Sequence, residues 1–84
     1  MSEPPPIRIL AFARYAELLG ADRLELALPN PPTVQGVLDD VRRLPGGDQL
    51  PDRILVALNA RQAQLGDSVT AGDELALLPP MAGG

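Results

Sequence analysis

Eighty-four residues, 45% of them hydrophobic, make one small domain with a single core, and the absence of cysteine excludes a disulfide framework, a thiolate metal site and a cysteine nucleophile. Histidine and lysine are also absent and all seven basic residues are arginine, so the usual general base at neutral pH and any Schiff-base amine are missing. The net charge of −4 argues against nucleic acid, and neither a long apolar run nor a basic leader points to a membrane or to secretion, so a cytoplasmic protein without catalytic side chains of its own is expected.

Residues 1–6 read as a flexible leader in which Pro4-Pro5-Pro6 blocks regular hydrogen bonding. Ile7 to Ala13 reads as a strand, apolar at nearly every position and therefore central. Ala13 to Leu19 forms a short helical turn that Gly20 ends. Leu24, Leu26 and Leu28 alternate with Arg23, Glu25 and Ala27, the period-2 pattern of a half-buried strand, expected to pair antiparallel with the first.

Asn30-Pro31-Pro32 breaks the chain, and Thr33 is a good N-cap for the next helix. Val34, Val37, Leu38, Val41 and Leu44 fall at helical spacing, with Asp39, Asp40 and Arg42 on the other side and Arg43 suited to the negative pole. Gly36 in the first turn costs about 1 kcal/mol relative to alanine, so this helix relies on packing against a sheet. Pro45-Gly46-Gly47 stops it, the glycine pair serving as a helix stop and nothing more. A mostly polar loop over residues 48–52 leads into a strand from Ile54 to Leu58. Asn59-Ala60 is a tight turn and Arg61 to Leu65 a short polar edge strand. Ala71-Gly72-Asp73 turns the chain into the last strand, Glu74 to Leu78, and Pro79-Pro80 ends ladder pairing.

This order gives an α+β roll: a mixed sheet of about five strands with one main helix and a short helical turn. The first and last strands are placed side by side in the centre and parallel, joined by a right-handed helical crossover. One helix covers one sheet face, so Ile7, Ile9 and Ala11 share the buried side with Leu75 and Leu77. Leu10, Phe12, Ala76 and Leu78 then lie on the opposite face with nothing in the chain to cover them, which marks a partner surface. Residues 7–78 form one domain, and residues 79–84 an extended tail.

In that tail, Pro79-Pro80 favours a polyproline II path that projects the residues beyond it away from the sheet. Met81-Ala82 is a spacer, and Gly83-Gly84 ends the sequence. A Gly-Gly strand lacks Cβ atoms, so it enters a narrow slot and leaves the terminal carbonyl open to attack. The Gly84 carboxylate is the group a partner could activate, commonly as an acyl-adenylate. A sulfur donor would then convert it to a thiocarboxylate.

The segment Gly72-Asp73-Glu74-Leu75-Ala76-Leu77-Leu78-Pro79-Pro80-Met81-Ala82-Gly83-Gly84 closely resembles the C-terminus of the small, sulfur-carrying subunits of molybdopterin synthases. Further matches are Ala13 to Gly20, the Thr33-Val34 helix start and Asn59 after an apolar strand. The resemblance implies a β-grasp, ubiquitin-like fold. It implies that Gly84 is adenylated by a ubiquitin-activating-like enzyme using ATP and Mg²⁺, and that a sulfur donor protein completes the thiocarboxylate. No cofactor would be held permanently. The tail, from Pro79 and Pro80 through Met81, Ala82 and Gly83, would thread into the large synthase subunit, which supplies the catalytic lysine and arginine. Sulfur would pass to precursor Z (cyclic pyranopterin monophosphate) within a heterotetramer of two small and two large subunits. Leu77-Leu78 departs from the family, where an aromatic pair is common. The alternatives are a sulfur carrier for thiamin or tRNA thiolation, a related protein modifier, or a β-grasp interaction module without carrier chemistry.

Overall fold

Strands form where the apolar runs lie and turns form where glycine, proline and asparagine interrupt them. The computed structural model describes residues 3–80; Met1, Ser2 and residues 81–84 lie outside the described residues. In chain order the elements are β1 (Ile7–Ala11), α1 (Ala13–Leu19), β2 (Arg23–Leu26), α2 (Val34–Arg42), a 3-10 turn (Gly47–Gln49), β3 (Leu55–Leu58), β4 (Arg61–Ala63) and β5 (Glu74–Leu78). The strands make one five-stranded sheet in the order β2-β1-β5-β3-β4. β1 and β5 are parallel and every other pairing is antiparallel. This is the β-grasp roll expected from the sequence, with the first and last strands adjacent and β5 in the middle.

The alternation of β1 and β5 sorts their side chains as expected. Ile7, Ile9, Ala11, Leu75 and Leu77 are buried and pack beneath α2, whose Val34, Val37, Leu38 and Val41 form the facing stripe. Tyr15 belongs to the same core, a packing role rather than a reactive one.

Helix α2 begins where the sequence places it. The Thr33 hydroxyl accepts from the Gly36 N–H at 3.1 Å. The Val34 and Gln35 N–H groups donate to the carbonyls of Asp67 and Leu65, each at 2.9 Å. Three of the donors that a helix start leaves unpaired are thus satisfied within the fold. Gly36 is explained by a close approach: a Cβ there would stand 2.6 Å from the Pro31 carbonyl oxygen.

Several boundaries differ from expectation. β1 stops at Ala11 because Ala13, at φ 49, swings the chain into α1. β2 ends at Leu26, so Leu28 falls past the ladder and is exposed. α2 ends at Arg42, with Arg43 as its capping residue and Leu44 half-buried beyond it. The segment 48–52 is less polar than it reads, since the 3-10 turn delivers Leu50 into the core. β4 covers only Arg61–Ala63. Gly46 and Gly47 do more than stop a helix. A Cβ on Gly46 would collide with the Leu18 carbonyl oxygen and one on Gly47 with the Val41 carbonyl oxygen, so the pair lets the ends of α1 and α2 close on one another.

At the β3–β4 turn Asn59 and Ala60 both have positive φ, 51 and 71. The Asn59 amide donates to Asp73 Oδ1 at 3.1 Å, and its Oδ1 accepts from the Glu74 N–H at 3.0 Å. Asp73 Oδ2 in turn accepts from the Thr70 N–H at 2.7 Å. This clasp fixes where β5 starts, and hence its register.

Candidate functional site

The sheet face opposite α2 is uncovered by any element among the described residues. Cross-strand register arranges it in rows. Leu10 on β1 stands beside Ala76 on β5, which stands beside Ala57 on β3. One row further along, Leu78 pairs with Leu55. Phe12, one step past the Ala11–Leu77 pair, is level with Leu78. The opposite end is charged: Arg8 has Glu25 on one side and Glu74 on the other. The face is therefore polarised along the strands, and its apolar half lies at the end from which Pro79-Pro80 depart.

Exposure supports reading this half as a contact surface. Phe12 is 45% and Leu55 58% exposed, among the most exposed large hydrophobic side chains of the described residues. Leu10, Ala76 and Leu78 are half-buried by their neighbours. Phe12 also borders a concavity completed by Leu10, Ala13, Ala16, Asp22 and Arg23. Such contiguous apolar surface on a small domain marks an interaction site.

The four residues expected to meet a partner, Leu10, Phe12, Ala76 and Leu78, are thus brought together. Pro79 is half-buried and Pro80 exposed at the edge of the patch. Met81, Ala82, Gly83 and Gly84 lie outside the described residues. Leu55 and Ala57 complete the surface and were not singled out in the sequence. Their signal was alternation with Ile54 and Val56, which are buried.

Nothing else on the described residues offers chemistry. No group of three or more His, Cys, Asp or Glu among them could hold a metal ion. No described helix is long and apolar enough to cross a membrane. The single ion pair found among these residues, Arg43 with Asp40 at 2.8 Å, is solvent-exposed on α2.

The ThiS family profile matches residues 9–84. Over 79 residues the chain is 37% identical to the molybdopterin synthase sulfur carrier subunit of Arabidopsis thaliana, covering 93% of this chain and 82% of that one. Over 82 residues it is 38% identical to small archaeal modifier protein 1 of Haloferax volcanii, covering 87% and 94%. The crystal structure of SAMP1 from Haloferax volcanii matches with a TM-score of 0.78 at 33% identity, over 93% of this chain and 98% of that chain. A chain of the complex of subunits 1 and 2 of the molybdopterin-converting factor from Helicobacter pylori 26695 shares the fold, with a TM-score of 0.68 at 18% identity over 93% and 97%.

Proposed function

The chain belongs to the ThiS family, and from that premise we propose that it is the sulfur-carrier subunit of a molybdopterin synthase. The observation that carries this reading is the convergence of the uncovered apolar surface on the root of a tail that ends in Gly83-Gly84. A partner seated on Phe12, Leu10, Ala76, Leu78 and Leu55 receives the tail in the same encounter.

The Gly84 carboxylate attacks the α-phosphorus of ATP held with Mg²⁺ on an activating enzyme, and pyrophosphate leaves. Sulfur from a donor protein then displaces AMP at the carbonyl carbon and leaves a thiocarboxylate. Gly83 clears the approach, and Pro79-Pro80 limit the entropy lost when the tail is bound. In the large synthase subunit, whose side chains do the chemistry, the thiocarboxylate sulfur passes to precursor Z. A chain without cysteine, histidine or lysine suits this division of labour.

Deletion of Gly84 tests the carrier role. Molybdopterin formation should vanish in cells dependent on this chain while the domain stays folded; survival of activity sinks the carrier reading. Intact mass of the chain from cells with active sulfur transfer should show one oxygen replaced by sulfur. The similarity to an archaeal modifier protein favours a second reading, a carrier or modifier acting in another pathway. Co-purification decides between them: capture of the large synthase subunit supports the first, and capture of only thiazole or tRNA-thiolation enzymes supports the second.

A further inference from the structure

Two of the arginines stand at the end of the sheet from which the tail departs. Leu55 pairs with Leu78 in the antiparallel β3–β5 ladder, so Arg53 is level with Pro80 on the neighbouring path. Arg14 lies in the first turn of α1, just after Phe12, at the same end of the sheet. Both are exposed. Six residues follow Leu78, and fully extended they span at most about 20 Å. The terminal carbonyl can therefore reach the surroundings of both side chains.

An activated carboxyl is attacked by any amine, thiol or imidazole it meets. Cysteine, histidine and lysine are all absent from the sequence. A guanidinium keeps its proton far above neutral pH and has no free lone pair to offer a carbonyl. A lysine amine of ordinary pKa is roughly 0.4% free base at pH 8, and a short tether holds it near the tail at an effective concentration in the millimolar range.

We propose that Arg14 and Arg53 are acyl-inert cations flanking the tail, giving positive charge at its exit without competing for the activated Gly84 carbonyl. The inference rests on the activation of Gly84 proposed above. With lysine in either place, the amine nitrogen bonds to the Gly84 carbonyl carbon. The bond from that carbon to its leaving group, an adenylate oxygen or a thiolate sulfur, breaks, and the nitrogen gives up a proton to the leaving group or to water. The product is an internal amide that can no longer carry sulfur. With arginine the acyl group leaves only to a nucleophile brought from outside.

The test uses the full chain prepared with Gly84 as a mercaptoethanesulfonate thioester, by thiolysis of a fusion. It is compared with Arg14→Lys and Arg53→Lys, and with Arg14→Gln and Arg53→Gln as controls for loss of charge. All are incubated at pH 8 and followed by intact mass, with folding checked by circular dichroism. The natural chain and the glutamine variants should yield only the free carboxylate, and complete thiocarboxylate when hydrosulfide is added. At least one lysine variant should lose the thiol without gaining water, with peptide mapping placing an amide between Gly84 and the introduced amine. An internal amide in the natural chain, or both lysine variants hydrolysing as the natural chain does, overturns the proposal. The thioester is made chemically, so this outcome is independent of whether cells activate Gly84, which the deletion addresses.

Discussion

Alanine at position 46 would set a methyl group against the Leu18 carbonyl oxygen on a backbone already at φ +83. Neither atom is the end of a flexible side chain, so the approach of α1 to the end of α2 must open. Gly46→Ala is expected to cost more than about 2 kcal/mol in urea unfolding, whereas Gly66→Ala, with open space around it, should stay within about 1 kcal/mol of the natural chain. Equal losses at the two sites would show that the contact does not matter. The sequence shows Pro45-Gly46-Gly47 as a breaker, but a neighbour as distant as Leu18 becomes visible only when the helices pack. Asn59 is the reverse case, because its turn role is legible locally while its two side-chain bonds to Asp73 and Glu74 are not. Asn59→Gly keeps the positive φ and loses the bonds. It should destabilise by about 1–2 kcal/mol, and Asn59→Ala by more, since alanine also resists that backbone.

The sheet's two faces should answer differently to substitution. Leu38→Ala on α2 empties a fully packed position and is expected to cost about 2–5 kcal/mol. Leu55→Asp on the open face should shift stability by no more than about 0.5 kcal/mol, yet abolish capture of the large synthase subunit in a pull-down. Capture at natural levels by Leu55→Asp would move the docking surface elsewhere. For β1 and β5 this division is legible in the sequence, because one helix can cover only one set of alternate positions. For β3 it is not. Ile54–Leu58 is apolar throughout, so its own pattern does not say which residues face outward, and the answer depends on register with β5. Leu50 was hidden for a related reason: a single apolar residue among Asp48, Gln49 and Asp52 reads as loop until a 3-10 turn directs it inward.

Across the whole molecule, element order and the parallel pairing of the first and last strands were legible in the sequence, since the most apolar runs demand the best-covered places. Segment ends were not, because Ala13, Leu28 and Leu44 continue their local patterns past the point where the backbone turns away. The division between a folded body and an acting end also yields a prediction at this scale. Removing residues 81–84 should leave the unfolding midpoint within the error of the natural chain while ending sulfur transfer. A fall of several degrees would mean that the tail also holds the domain together.

The place of β5 has a further consequence for how the protein is made. The strand synthesised last fills the middle of the sheet, between β1 and β3, and its start bonds to the start of the chain through the Arg8 N–H and the Asp73 carbonyl at 2.9 Å. A nascent polypeptide lacking β5 holds two separated hairpins, β1–β2 and β3–β4, with no strand to join them. A fragment ending at Asp73 should accordingly give the circular dichroism of an unfolded chain. Closure over so long a sequence separation is slow compared with local helix or hairpin formation, and it requires the chain's final segment to have left the ribosome. Folding is thus coupled to the end of translation, and an unfinished copy has neither the docking surface nor the terminus with which to occupy the activating enzyme.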